Sequence, residues 1–179
     1  MQANDILDFW FVELDEKQRF AKHEALDRTI RERFGGTLGA AVQGELYAWR
    51  ATPEGRLAEI VLLDQLSRNM FRGSAKSFAQ DPQALTLAQE LVASGYDQRL
   101  SLEYRRFAYM PYMHSESILI HGQAVSLFSQ PGLQNTLAFE LRHKEIIERF
   151  GRYPHRNAIL GRNSTEEELA FLKESGSSF

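Results

Sequence analysis

Apolar residues recur along this chain at the three- and four-residue spacing that is typical of amphipathic helices. The first such set occupies positions i, i+3, i+4 and i+7, and therefore one helical face: Leu7, Trp10, Phe11 and Leu14. Asn4 or Asp5 is expected to cap this first helix, because a short polar side chain accepts hydrogen bonds from the unpaired N–H groups of a helix start. We therefore predict that Trp10 and Phe11 are anchors of the core.

The second helix contains two adjacent glycines. Its apolar residues Leu26, Ile30 and Phe34 lead directly to Gly35-Gly36. Since each glycine costs about 1 kcal/mol in a helix interior, we expect a break or a kink at this point. The apolar pattern then resumes.

Start and stop signals mark the remaining helices. Helix starts are expected at six places: Thr52-Pro53, Asp81-Pro82, Ser101, Ser115, Leu133 and Ser164-Thr165. Pro111 is expected to end the fifth helix near Met110, because proline disfavours helical geometry in the residue before it. The run 60–63 is apolar on every side, which predicts a central buried helix.

Two later helices are expected to turn particular side chains inward. The seventh helix presents one face with Phe139, His143, Ile146, Ile147 and Phe150, and the last presents Leu169 and Leu172. The serine-rich tail 175–179 is expected to be loose. No sustained alternation of apolar and polar residues predicts a strand. The chain 1–179 is therefore predicted to be one all-α domain of antiparallel helix hairpins.

Composition and charge narrow the possible partners. The chain has 179 residues with a net charge of −3, so no basic field attracts nucleic acid or a membrane surface. The absence of cysteine excludes disulfides and thiolate chemistry. No secretory leader is visible, and no apolar run approaches the roughly 20 residues of a membrane helix. We expect a cytoplasmic protein with no nucleic-acid or membrane partner.

Three segments place polar residues beside apolar ones, and the first contains five candidate ligand-binding residues: Asp64, Gln65, Arg68, Asn69 and Arg72. Asp64 and Arg68 are i,i+4 neighbours with the acid towards the N-terminus, as the helix dipole prefers. Arg68 and Arg72 lie one turn apart, so two guanidinium groups can project from one face. An intrahelical ion pair with a helix-terminal arginine is the structural interpretation of the same pattern.

The second segment contributes His114 and Glu116. Ser115 makes a good N-cap between them, which accounts for this turn without any function. A functional interpretation has His114 and Glu116 as metal ligands, with His121, His143 or His155 as a third. The spacing matches no known zinc signature, and we expect no metal and no cofactor.

The third segment is the most basic part of the chain. It contributes the candidate ligand-binding residues Arg152, His155, Arg156 and Asn157, and it continues to Arg162. Guanidinium groups grip carboxylates and phosphates at two points, and a helix start near Asn157 would add oriented N–H donors. The alternative is that these arginines bind helix carbonyls and internal acids such as Asp64 or Glu116. The common enzyme motifs are missing.

These blocks together resemble the domain-of-unknown-function family numbered 924. The resemblance is carried, in order, by residues 7–11, 63–65, 68–73, 112–116 and 149–162, and the last block is the most specific. Leu66-Ser67 departs from the family, which more often has an aromatic residue and a proline there. The resemblance implies a bacterial protein with a tetratricopeptide-like helical superhelix. It implies no catalytic residue, because the family has no established activity.

We expect a binding module whose polar residues hold a small anion or an acidic peptide terminus. The third segment is expected to meet the first in space, and Arg152, His155 and Arg156 are expected to form a local anion site. An alternative is a hydrolase-like enzyme that uses His114 or His155 as general base, oriented by Glu116 or Asp64. A purely structural role for all of these residues is the third possibility.

Overall fold

The computed structural model describes residues 1–178, and within them it contains helices and turns but no strand. This confirms the all-α class. The α-helices are α1 (Ala3–Asp8), α2 (Glu16–Phe20), α3 (Glu24–Val42), α4 (Pro53–Val61), α5 (Ser67–Met70), α6 (Asp81–Ala93), α7 (Leu102–Met113), α8 (Ile118–Phe128), α9 (Gln134–Phe150) and α10 (Glu166–Phe171). Short 3-10 helices span Tyr47–Ala51, Ala75–Ser77, Tyr96–Arg99 and Pro154–Arg156, and π-helical turns span Phe9–Glu13 and Leu62–Leu66.

The chain forms two compact units. Unit 1 comprises residues 1–72 and 76–111, and unit 2 comprises residues 73–75 together with the chain from 112 onward. The stacking of helix hairpins into a tetratricopeptide-like superhelix stays a prediction. No helix in the described part of the chain is long and apolar enough to cross a membrane.

Unit 1 is built around α4. This helix begins at the predicted Thr52-Pro53 signal, where the Thr52 hydroxyl accepts a 3.0 Å hydrogen bond from the Gly55 N–H. Helices α1 and α6 pack against α4, and α3 packs against α5. Residues 60–63 are completely buried, which confirms the predicted central helix.

The predicted break at Gly35-Gly36 is wrong. Helix α3 runs through both glycines without interruption. Ile30, Phe34 and Leu38 are all buried on its inner face, and burial of these side chains outweighs the roughly 1 kcal/mol that each glycine costs.

Two predicted helix boundaries of unit 1 need correction. Helix α1 is capped by Gln2 instead of Asn4 or Asp5, and the Asp5 carboxylate reaches back to accept a 2.7 Å hydrogen bond from the Gln2 N–H. Helix α7 is capped by Ser101 as expected, but it passes through Pro111 and ends at Met113. Residues 107–113 are all buried, so packing overrides the preference of the residue before proline.

In unit 2, α8 packs against α9. The N-cap of helix α8 is Ser117, two residues later than the predicted cap Ser115, whose hydroxyl accepts a 3.2 Å hydrogen bond from the Ser117 N–H. Helix α9 ends at Phe150, because the next residue, Gly151, has a φ of +68° that favours glycine.

The apolar core of unit 2 joins α9 to the segments that follow it. Ile146, Ile147 and Tyr153 are buried, with Phe150 and Phe171 packed against them. Two side chains predicted to face inward are exposed instead: Phe139 is 56% exposed and Leu169 is 51% exposed. Near the C-terminus, Ser177 is buried and its hydroxyl donates to the Leu172 carbonyl.

Candidate functional site

The first candidate segment begins in a π-helical turn of unit 1. This turn, Leu62–Leu66, places the Asp64 carboxylate in the interior with 0% exposure, and the Gln65 amide donates to it at 2.5 Å. Turns of this kind are frequent at functional sites. Arg68 forms the predicted i,i+4 ion pair with Asp64 at 3.2 Å and also pairs with Asp81 at 3.0 Å.

The other two residues of this segment bind a different acid, Asp27 on α3. Arg72 grips the Asp27 carboxylate at two points, at 2.6 and 2.9 Å, and the Asn69 amide donates to it at 2.8 Å. Burial alone would raise the pKa of Asp27, but these hydrogen bonds lower it below its usual value. Arg68 and Arg72 therefore bind different carboxylates and do not form the predicted pair of guanidinium groups on one face.

In unit 2 the Glu116 carboxylate holds the third segment in place. It accepts two hydrogen bonds from Arg162, at 2.6 and 2.9 Å, and a third from the Tyr153 N–H at 2.7 Å. Burial alone would raise the pKa of Glu116, yet the hydrogen bonds from Arg162 and Tyr153 lower it. Glu116 is thus an ionised acid that pairs with an arginine of the third segment, as the sequence suggested.

Arg152 and Asn157 fix the end of the third segment. Arg152 grips Glu168 at 2.6 and 2.8 Å and also donates to the Asn163 carbonyl. Asn157 is fully buried; its amide group donates to Ser164, and its carbonyl accepts from Arg162 at 3.0 Å. The predicted helix start at Asn157 is wrong, because a 3-10 turn, Pro154–Arg156, followed by hydrogen-bonded turns occupies this region.

A buried tyrosine organises the remaining polar side chains of unit 2. The Tyr153 ring lies 5.6 to 6.2 Å, centroid to centroid, from three imidazole rings, and the Arg156 guanidinium lies over its face at 4.7 Å. These residues are called here the Tyr153 cluster: His121, His143, Tyr153, His155 and Arg156. Arg156 is only 5% exposed and donates to the His114 carbonyl at 3.0 Å, so His114 borders the cluster.

One imidazole of the cluster is held neutral. Burial lowers the pKa of His143 to about 3, and the neighbouring His114, His121 and His155 add to this effect. Its Nδ1 lies 2.7 Å from the Phe139 carbonyl oxygen, which can only accept a hydrogen bond, so Nδ1 carries the proton. The Nε2 atom of His143 is then the basic nitrogen of this ring.

Three members of this site were not among the candidate ligand-binding residues: His121, which the sequence suggested only as a third metal ligand, Glu140 and Tyr153. His121 and Glu140 are buried with 0% exposure, and they form a 2.7 Å contact. The signal for them was weak, since a buried histidine within an apolar helix is more often structural than functional. Among residues 1–178, no three histidine or acidic side chains come together in an arrangement that could hold a metal ion.

The chain is similar to a known protein family along nearly its whole length. The model of a family described as bacterial protein of unknown function (DUF924) matches residues 6–176. The chain belongs to this family. No curated protein matches it.

A solved structure extends the comparison to the fold. The protein of unknown function ATU0120 from Agrobacterium tumefaciens is 40% identical to this chain, and the match covers 97% of each chain with a TM-score of 0.91. The two proteins therefore share their helical fold along nearly their whole length. The expected meeting of the third segment with the first concerns the two units together and stays a prediction.

Proposed function

We propose that this protein binds a small anion, and that His114, His155 and Arg156 of unit 2 hold it. The observation that carries the proposal is the concentration of nitrogen groups around the Tyr153 ring, where one buried guanidinium lies beside several imidazoles. The Arg156 guanidinium and the His114 and His155 imidazoles are groups of the kind that donate hydrogen bonds to carboxylate or phosphate oxygens.

The pairing of the other arginines supports a site that is smaller than the sequence suggested. Arg152 is committed to Glu168 and Arg162 to Glu116, each through two hydrogen bonds. These two ion pairs hold the segment 152–162 in place at both ends. His114 and His155 are partly exposed to solvent. A ligand at this place meets imidazole edges first.

The hydrolase-like alternative receives little support from unit 2. An orienting carboxylate must accept a hydrogen bond from the imidazole that it positions. The hydrogen bonds described for Glu116 come from Arg162 and the Tyr153 N–H. The version in which Asp64 orients His114 or His155 stays a prediction.

Titration of the intact protein with phosphate, sulfate, small carboxylates and a short acidic peptide tests the proposal. The imidazole resonances of His114 and His155 are expected to shift, with affinity falling as salt increases. Arg156→Lys keeps the charge but loses the two-point geometry, and it is expected to weaken binding about tenfold.

Arg149→Lys is the matched control. Arg149 forms an exposed ion pair with Glu167, so this variant is expected to bind as the wild type does. Circular dichroism checks that both variants fold. The proposal fails if millimolar anions leave the histidine resonances unchanged, or if the two arginine variants weaken binding equally. If only the acidic peptide binds, the ligand is a peptide terminus and the small-anion proposal is wrong.

A further inference from the structure

The interior of unit 2 contains an acid–imidazole pair between α8 and α9. His121 and Glu140 are both completely buried, and the His121 Nδ1 lies 2.7 Å from the Glu140 Oε1. The Glu140 Oε2 is also buried and accepts no hydrogen bond from any of residues 1–178. A carboxylate with one oxygen left in this state is poorly stabilised as an anion.

The other ring nitrogen of His121 determines where its proton lies. The Nε2 atom is 2.8 Å from the Ser115 carbonyl oxygen and 3.2 Å from the Tyr153 hydroxyl, which itself donates to the Met113 carbonyl at 2.5 Å. A carbonyl oxygen only accepts, so Nε2 must carry a hydrogen. The Tyr153 hydroxyl uses its own hydrogen to bind the Met113 carbonyl, so towards the His121 Nε2 it can act only as an acceptor.

It follows that one proton lies between His121 and Glu140. If that proton were absent, two lone pairs would face each other at 2.7 Å, and the buried carboxylate would have no donor. The pair holds the proton either as imidazolium with carboxylate or as imidazole with carboxylic acid. In both forms its net charge is zero, and the Nε2 hydrogen points at Ser115.

We propose that His121 is the positioning residue of the anion site: through the proton that it shares with Glu140, it fixes the loop 114–116 and links anion binding to pH. The second half of this statement rests on the proposed function. His121 reaches Ser115 directly, and the neighbours of Ser115 in sequence are His114, which borders the Tyr153 cluster, and Glu116, which holds Arg162.

Several charged and titratable groups lie near the His121–Glu140 pair. Lys144 on α9 and His114 in the loop act on Glu140, while His143 on α9 and the Tyr153 hydroxyl lie near His121. Burial raises the pKa of Glu140, while the hydrogen bond and charge of His121 and the charges of His114 and Lys144 oppose that effect. When alkali removes the shared proton, a negative charge appears on Glu140, which interacts electrostatically with His114 of the anion site, and this charge repels the ligand.

The test compares the wild type with Glu140→Gln, which keeps a hydrogen-bonding partner for His121 but cannot become negative. Glu145→Gln is the matched control, because Glu145 is an exposed acid on the same helix. Inorganic phosphate is the probe, and its affinity is measured from about pH 6 to about pH 10. At the acid end, all three proteins are expected to bind alike. At the alkaline end, the wild type and the control are expected to bind about tenfold more weakly than Glu140→Gln.

A second measurement does not depend on any ligand. Ring nitrogen shifts of His121 are expected to show Nε2 protonated throughout, and His121→Phe is expected to speed amide exchange at 115–117. Parallel pH profiles for all three proteins would overturn the linkage, and an unprotonated Nε2 would overturn the positioning role. If phosphate fails to bind the wild type at any pH, the proposed function fails, whereas the ring nitrogen and exchange results still decide whether His121 fixes the loop.

Discussion

Arg152 grips the Glu168 carboxylate at 2.6 and 2.8 Å while that same carboxylate caps α10. One of its oxygens accepts a 2.7 Å hydrogen bond from the Thr165 N–H, and the Thr165 hydroxyl accepts from the Glu168 N–H in return. The Glu168 carboxylate thus caps the start of α10 and also binds an arginine 16 residues earlier in the chain. This arrangement ties the α9–α10 connection to the helix that follows it.

The first prediction concerns acid stability. The hydrogen bond from Arg152, with that from Thr165, lowers the pKa of Glu168 to about 2, from 4.5 for the ordinary side chain. Because the folded-state pKa is depressed, this stabilisation is present above about pH 4.5 and is lost as the pH falls towards 2. Glu168→Gln should cost about 1–3 kcal/mol at neutral pH, because Glu168 is buried, and it should flatten the acid limb of the stability curve.

Urea unfolding between neutral and acid pH measures this effect. Glu167→Gln removes an exposed acid one residue earlier and should leave the acid limb unchanged. Equal acid limbs for the wild type and Glu168→Gln would show that Glu168 contributes nothing to the pH dependence.

The Arg152–Glu168 pair also shows where sequence reasoning stops. The capping box of Thr165 with Glu168 was predictable, since it depends on residues three apart. The ion pair of Glu168 with Arg152 was not predictable, because it depends on how α10 folds back in three dimensions. The only acid visible near Arg152 in sequence, Glu148, instead pairs with Lys144 one turn away.

Local signals were reliable at some helix ends and wrong at others. The helix start at Thr52-Pro53 is confirmed, because the Thr52 cap and the fixed φ of proline suit the first turn of a helix. Boundaries that buried packing overrides, such as the passage of α7 through Pro111, were not predictable. The structural interpretation of these segments describes the Asp64–Arg68 and Glu116–Arg162 ion pairs, and the ligand-binding role of the candidate residues stays a prediction. The buried pair His121–Glu140 was hidden within apolar helices.

The second prediction concerns Gly36 in α3. This glycine is exposed, and a Cβ added to it meets no atom within 4 Å. Alanine should therefore gain helix propensity and reduce unfolded-state entropy without strain. Gly36→Ala is expected to stabilise the protein by about 0.5–1 kcal/mol in denaturant unfolding. A loss of stability would show that α3 needs the freedom of this glycine.

The third prediction concerns Gly55, which looks equivalent in sequence but is not. A Cβ at Gly55 would lie 1.9 Å from the Trp49 carbonyl oxygen, because the 3-10 segment Tyr47–Ala51 crosses the first turn of α4. Backbone atoms must move to admit it. Gly55→Ala is expected to cost about 1–3 kcal/mol in the same unfolding experiment. An unchanged stability would mean that this crossing moves away freely.

The last prediction concerns Trp10, which the sequence placed in the core and which is 1% exposed. Its ring meets Phe107 edge to face at 5.8 Å, so the indole fills a site between α7 and the N-terminal turn. Trp10→Ala should cost about 3–5 kcal/mol through lost burial and the cavity that remains.

However, the buried Nε1 has no hydrogen-bond partner among residues 1–178, and such a donor costs about 1–3 kcal/mol. Trp10→Phe removes that donor while keeping an aromatic ring, so its two effects oppose each other and its net cost should stay below about 1.5 kcal/mol. Equal losses for the two variants, measured by denaturant unfolding, would mean that the indole N–H is satisfied in solution and that the whole indole is needed.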